Sequence, residues 1–208
     1  MNGGQPSKAL KKVVFLTNND STLNLYDWLK KRCWVELYRE PLTIEWVRSF
    51  EPYLIISYNY SYLIKSDIID YMHGNIINLH ISLLPWNRGA SPNFWSFVED
   101  TPKGVTIHQV NSELDKGKIL YQKECYLNPA EETFETSYRR LNFEIVELFK
   151  RNWKEIEDGK YPLINQTGRG SYHSLKDLNE LKEICPFQWS DNIAHFLEKY
   201  STIVKGRK

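Results

Sequence analysis

Asn78, His80 and Asp115 are residues of the types that move protons and hold developing negative charge. A histidine exchanges a proton near neutral pH, and an amide N–H can stabilise an oxyanion. A carboxylate can fix the tautomer and the charge of an imidazole. The stretch Asn78-Leu79-His80-Ile81-Ser82-Leu83-Leu84-Pro85 continues the apolar pair Ile76-Ile77. If residues 76–80 form a strand, the alternation of its faces puts Asn78 and His80 on the same side. His80 then stands at the carboxyl end of that strand. Asp115, in Leu114-Asp115-Lys116-Gly117, follows a second strand-like run that contains His108, and could approach His80. Each residue also has a plainer reading. A single histidine at a strand end is more often structural, asparagine at a strand terminus is a common turn or cap residue, and Asp-Lys-Gly is ordinary turn chemistry. On these residues alone the reading stops at an α/β protein with a polar cleft.

The elements that must position such groups alternate along the chain. Short β-branched and apolar runs at 13–17, 34–38, 53–57 and 76–80 have the pattern of buried parallel strands. Between them, helical spacing predicts helices over 23–34, 42–50 and 65–72, the last stopped by His73-Gly74. This alternation predicts an α/β fold with a mostly parallel sheet and helices on both faces. Ligands of such open sheets bind beyond the carboxyl ends of the strands. That rule singles out the loops at 17–20, 58–64, 80–95 and 111–117. A strand at 104–110, a hairpin partner at 119–125 and a long helix over 133–158 ended by Gly159 follow. The chain from Ile164 is polar until 178–184, and a last helix is expected over 189–197.

Composition narrows the class. A chain of 208 residues suits one domain with a small appendage. Lys and Arg number 27 against 26 acids, so there is no broad electrostatic footprint for nucleic acid. Aromatic residues make up 14%, with seven Trp and thirteen Tyr, which suits an aromatic-lined cleft. Cys33, Cys125 and Cys185 form no CxxC pair and no metal-ligand spacing, so free thiols in a reducing compartment and no metal are expected. Apolar runs fall far short of the roughly 20 residues of a spanning helix, and no membrane association is expected. Residues 1–12, MNGGQPSKALKK, are basic and precede only a short apolar run, so a flexible leader is expected rather than a signal peptide. A cytoplasmic location follows from these expectations.

Three blocks change the weight of the first reading. Asn78-x-His80-x-Ser82-Leu83-Leu84-Pro85 with Arg88-Gly89, then Gly104-Val105-Thr106-Ile107-His108, then Leu114-Asp115-x-Gly117-x-Ile119, closely resemble the folate-dependent formyltransferase family. The blocks stand in that family's order, from about Val13 to Tyr138. The resemblance implies a Rossmann-like domain over residues 1–160 with a short extension, 161–208, packed on it. It implies that Asn78, His80 and Asp115 are the catalytic trio and that N10-formyltetrahydrofolate is the formyl donor, leaving as tetrahydrofolate. The pterin contacts of the family match Tyr60, Tyr62 and Ile64, and the stretch from Asn111 through Leu114 to Asp115. The plainer reading of the tyrosines is aromatic packing.

The resemblance also ranks the branches of the family. Methionyl-tRNA formyltransferases carry a further C-terminal domain, whereas about 50 residues follow Gly159 here. Glycinamide ribonucleotide enzymes carry a glycine-containing phosphate loop after the first strand, where this chain reads Thr17-Asn18-Asn19-Asp20-Ser21. The segment 85–97 and the later Gly170-Ser171-Tyr172-His173 instead resemble enzymes that formylate amino sugars on a nucleotide carrier. Substrate contacts are therefore expected at Trp86, Arg88, Asn93, Phe94 and Trp95, with Arg88 suited to a diphosphate and the aromatic faces to a sugar or base. The plainer reading puts Phe94 and Trp95 in the core, on a helix starting near Pro92, and makes Tyr172 and His173 a local turn. The expected function is formyl transfer to a UDP- or TDP-linked 4-amino-4,6-dideoxyhexose, nearest to the pseudaminic-acid-pathway type, by a possible homodimer. The alternatives are phosphoribosylglycinamide formyl transfer, a catalytically silent folate- or nucleotide-binding module, and a partner-binding protein using exposed Trp and Tyr.

Overall fold

The computed structural model describes residues 11–206. Residues 1–10, most of the stretch read as a leader, and residues 207–208 lie outside the described residues. In chain order the elements are β1 (Lys12–Leu16), α1 (Leu23–Lys30), β2 (Trp34–Tyr38), α2 (Ile44–Phe50), β3 (Leu54–Ser57), α3 (Ser66–Tyr71), β4 (Ile76–His80), β5 (Arg88–Gly89) and α4 (Pro92–Val98). There follow β6 (Gly104–Gln109), β7 (Ile119–Glu124), α5 (Phe134–Asp158), β8 (Tyr172–His173), α6 (Leu175–Ile184) and α7 (Ile193–Lys205). Six strands form a mixed sheet in the order β2-β1-β3-β4-β6-β7, and β5 and β8 form a separate two-stranded ribbon. The fold class is the α/β one expected from the alternation of runs. The chain divides into two compact units between Asn78 and Leu79.

In the first unit the strands β2-β1-β3-β4 pair in parallel. Parallel strands are buried on both faces and need unbroken apolar runs. Val13 to Leu16 of β1 and Leu54 to Ile56 of β3 meet that need and are almost fully buried. Side-chain caps open the 3-10 turn before α1 and the helix α2. The Asn19 side chain accepts from the Ser21 N–H to open the 3-10 turn that leads into α1, and Thr43 accepts from the Trp46 N–H to open α2. The first helix ends at Lys30, four residues short of the expected boundary. The N–H groups of Arg32 and Cys33 both fold back onto the Leu29 carbonyl and turn the chain into β2.

In the second unit β6 and β7 pair antiparallel, with an irregularity in register between Ile107 and His108. The long helix α5 is opened by a reciprocal cap between Thr133 and Thr136 and closed by Gly159 in the left-handed conformation, as its sequence pattern predicts. Its apolar stripe buries Phe134, Leu141, Ile145, Leu148, Phe149 and Trp153. The last helix begins at Ile193 rather than 189, because Asn192 caps it by accepting from the His195 N–H.

The structure corrects two expectations at α4. Phe94 is fully buried, with ring centroids 4.6 Å from Phe187, 4.9 Å from Phe134 and 5.5 Å from Phe196. The Asn93 amide is buried as well and donates to the Phe134 carbonyl and to Ser137 Oγ, both at 3.0 Å. Both were expected as substrate contacts; in the structure both are buried and join α4 to α5. Replacing Phe94 with Ala should lower unfolding free energy by about 3–5 kcal/mol, the range for a large aromatic removed from a packed core. Urea unfolding followed by tryptophan fluorescence measures it, and a loss under 1 kcal/mol would contradict this placement.

Candidate active site

His80 ends β4, His108 lies near the end of β6, and Asp115 sits in the turn between β6 and β7. The fold brings the three together as an imidazole–carboxylate–imidazole cluster. His80 Nδ1 lies 3.8 Å from Asp115 Oδ2, and His108 Nε2 lies 3.5 Å from Asp115 Oδ1. Asp115 Oδ2 also accepts from the Gly89 N–H at 2.8 Å. Both histidines are anchored on their far sides to main-chain carbonyls, His80 Nε2 to Asn87 at 3.1 Å and His108 Nδ1 to Gln109 at 2.7 Å. A carbonyl only accepts, so the proton of neutral His80 resides on Nε2 and its Nδ1 carries the free lone pair.

Electrostatics fix which member of the pair is charged. Burial pushes the His80 pKa below the ordinary 6.5; the nearby Asp115 charge offsets part of that loss, and His108 adds to it. Burial alone would raise the Asp115 pKa. The attraction of His80, the hydrogen bond and charge of His108 and the Gly89 N–H outweigh it and hold the carboxyl well below the usual carboxylate range. At neutral pH the cluster therefore rests as an ionised Asp115 facing a neutral, acceptor-ready His80 Nδ1. Neither His108 nor Asn87 was singled out for such a role from sequence, although His108 belongs to one of the three blocks.

Asn78 precedes His80 by two positions in β4, where it is half-buried and registers with Ser57 of β3. Within the first unit, a polar cleft of about 600 Å³ opens among Asn18, Asn19, Asp20, Asn59, Tyr60 and Ser61. Two of the four loops singled out by the sheet rule, 17–20 and 58–64, supply its walls. Asn18 stitches the cleft together. Its side chain donates to the Arg39 carbonyl at 2.7 Å and accepts from the Ser61 N–H at 2.9 Å, and its own N–H reaches the Asn59 carbonyl at 3.0 Å.

The residues expected to touch the folate keep open faces. The Tyr60 hydroxyl donates to the Glu40 carbonyl and accepts from the Leu42 N–H at 3.0 Å, so only its ring is left for a ligand. Burial is the main cause that pushes its pKa up to about 12. Tyr62 packs edge-on against Tyr60 and is exposed, as is Leu63. Ile64 is half-buried. In the second unit Leu114 is exposed, and the Asn111 side chain accepts from the Glu113 N–H to shape the turn before Asp115. Within the first unit, the Tyr60 ring and the exposed Tyr62 beside the polar cleft suit a pterin, which presents a flat ring and a hydrogen-bonding edge.

Among the expected substrate contacts, Trp86 is half-buried, and Trp95 is buried with its ring stacked 3.8 Å from that of His173. His173 Nε2 lies 3.0 Å from Glu99 Oε1, off the line of a hydrogen bond. Arg88 turns Nε and Nη2 onto Gln166 Oε1 at 3.2 and 2.6 Å. Among the described residues no group of three or more His, Cys, Asp and Glu could hold a metal ion.

The family whose description is formyl transferase matches residues 14–151, which contain the whole cluster. The chain belongs to the formyl transferase family. Among solved members, the formyltransferase PseJ from Anoxybacillus kamchatkensis is 38% identical, with 89% of this chain and 97% of that one covered and a TM-score of 0.79. That structure is a complex with UDP-4,6-dideoxy-4-formamido-L-AltNAc and tetrahydrofolate. A dTDP-4-amino-4,6-dideoxyglucose formyltransferase of Mycobacterium tuberculosis H37Rv is 27% identical over 146 residues, 70% of this chain and 61% of the relative. The chain thus spans about three fifths of the length of that curated relative. A methionyl-tRNA formyltransferase of Agathobacter rectalis is 31% identical over 69% of this chain and 46% of its own length.

The protonation states set a sign for pH. His80 is held neutral in the fold, whereas an unfolded histidine takes up a proton near pH 6.5. Below that value the unfolded chain binds more protons, so stability falls as pH falls. His80→Gln should remove this component, giving a smaller loss of stability between pH 7 and pH 5 than the wild type in urea unfolding. Equal losses in the two proteins would show that His80 titrates normally in the fold.

Proposed function

We propose that this formyl transferase moves the formyl group of N10-formyltetrahydrofolate to the amine of a UDP-linked 4-amino-4,6-dideoxy sugar. The observation that carries the reading is the buried pair in which Asn87 fixes the proton of His80 on Nε2 and leaves Nδ1 as a base facing ionised Asp115. The family match supports formyl transfer. The 38% identity to PseJ, over nearly all of that chain, supports a uridine-linked 4-amino sugar.

The reduced folate, when bound, supplies the formyl carbon as an electrophile. An amine attacks such a carbon only in its uncharged form, and it must lose a proton as the new carbon–nitrogen bond forms. His80 Nδ1 accepts that proton. The imidazolium so formed is held by the Asp115 carboxylate, which the surrounding N–H and imidazole groups keep ionised. His80 gives the proton up again to the departing nitrogen, so it returns to its resting state after each turnover. The Asn78 amide donates a hydrogen bond to the formyl oxygen as negative charge gathers there. In the first unit the aromatic faces of Tyr60 and Tyr62, and in the second unit the turn from Asn111 through Leu114 to Asp115, are the proposed folate contacts. With this reading go a cytoplasmic homodimer and no nucleic-acid substrate. No helix among the described residues is long and apolar enough to cross a membrane.

The test is a formyl-transfer assay with N10-formyltetrahydrofolate and UDP-4-amino-4,6-dideoxy-L-AltNAc, beside dTDP-4-amino-4,6-dideoxyglucose and glycinamide ribonucleotide. Turnover of the UDP sugar is expected, and Asn78→Ala or His80→Ala should each lower it by roughly 10²–10³-fold. Because His80 must be neutral to act, the limb of the kcat/KM profile that belongs to the enzyme, separated from the ionisation of the amine itself, should lie below pH 6.5. Turnover of glycinamide ribonucleotide alone, or full activity in both variants, would overturn the proposal.

A further inference from the structure

The segment from Gln166 to His173 lies beyond the three sequence blocks and beyond the matched family region, yet it runs directly behind the cluster. Gln166 Nε2 donates to the main-chain carbonyls of Asp115 at 2.7 Å and Gly117 at 2.9 Å, while its Oε1 accepts both contacts from Arg88. An arginine only donates and a carbonyl only accepts, so the amide is oriented from both ends and no acid or hydrocarbon of its length could replace it. Ser171 does the same for the other catalytic side chain. Its hydroxyl accepts from the Asn87 N–H at 3.0 Å and donates to Asn87 Oδ1 at 3.2 Å, and Asn87 is the residue whose carbonyl receives His80 Nε2. The Ser171 carbonyl accepts from the Arg88 N–H, and the His173 carbonyl from the Ala90 N–H, which closes the β5–β8 ribbon around Gly89. The Gly89 N–H in turn binds Asp115.

We infer that Gln166 and Ser171 are positioning residues of the reaction, Gln166 setting the Asp115 turn and Ser171 setting the Asn87 carbonyl that selects the His80 tautomer. Close approach makes this specific to the segment. A Cβ at Gly89 would run into the His173 carbonyl, one at Gly117 into the Gln109 carbonyl and one at Gly170 into the Pro85 carbonyl. Arg88, expected from sequence to meet a diphosphate, spends two of its nitrogens on Gln166. The inference rests on the catalytic reading of His80 and Asp115 given above.

Gln166→Met keeps the length of the side chain and deletes its amide; Ser171→Ala deletes one hydroxyl. Steady-state rates are measured for both with N10-formyltetrahydrofolate and UDP-4-amino-4,6-dideoxy-L-AltNAc, with Asp115→Asn as reference. A displacement of about 1 Å at a catalytic group can cost on the order of 10²-fold. Gln166→Met should therefore lower kcat by roughly tenfold or more while leaving both KM values within about twofold. The Asp115 charge supports the basicity of His80, so loosening Asp115 should also move the acid limb of the rate profile to lower pH, in the direction that Asp115→Asn moves it. Should Gln166→Met fail to fold, Ser171→Ala carries the same comparison of kcat with KM. Unchanged kcat in folded variants beside a strongly slowed but measurable Asp115→Asn would overturn the positioning roles alone. Full activity in Asp115→Asn would overturn the catalytic reading and this inference with it.

Discussion

A carboxylate removed from water has to be compensated at both oxygens, and the second unit is organised around meeting that demand for Asp115. One oxygen takes the Gly89 N–H and faces His80; the other faces His108. The residue itself is in the left-handed conformation, at φ 53°, which costs an L-residue roughly 1–2 kcal/mol and is tolerated best by Asp and Asn. Strain and desolvation are thus concentrated in one side chain whose ionised state the proposed chemistry requires. The surroundings hold it there through two imidazoles and a main-chain N–H rather than through Arg or Lys. A full positive charge beside Asp115 would hold the carboxylate more firmly but would also weaken its pull on a proton arriving at His80.

The same demand explains why the chain doubles back over the site after its long helix. A turn that holds an acid at positive φ between two strands of a sheet has free carbonyls on its outer side. Gln166 satisfies those of Asp115 and Gly117 from a position 51 residues later than the acid in the chain. Ile164, just before it, exchanges both main-chain hydrogen bonds with Ile119 at the start of β7. Phe187 and Phe196 then secure the rest of the C-terminal stretch in the aromatic core around Phe94. Core packing and site geometry in this unit therefore share one stretch of chain.

Sequence patterns carried the sheet because β1 and β3 are unbroken apolar runs and α2 and α5 open on side-chain caps, both local signals. The four parallel strands and the long helix over 133–158 lie within a residue or so of where periodicity puts them. Asn78, His80 and Asp115 could be picked out as a possible constellation, and the three blocks gave that choice its weight. What stayed hidden was long-range. Nothing local distinguishes Gln166 from any other glutamine in a polar stretch, and Arg88 reads equally as an anion ligand or as a partner for an amide. Asn93 and Phe94 were misassigned because an aromatic-rich helix next to a motif has the same composition whether it faces a ligand or the core. The β5–β8 ribbon is two residues long on each side, too short for any period to register.

Asn18 has a consequence of a different kind. One side chain and its own N–H tie together the loops that follow β1, β2 and β3, through Ser61, Arg39 and Asn59. Loops at the carboxyl edge of a parallel sheet are usually the interchangeable parts of such folds, each able to drift while the scaffold stays fixed. Here three of them share a single knot, so a change in the length of one is felt by the other two. Diversification of this edge, whether by natural drift or by loop grafting, must carry Asn18 and its three partners as a set or replace all of them together.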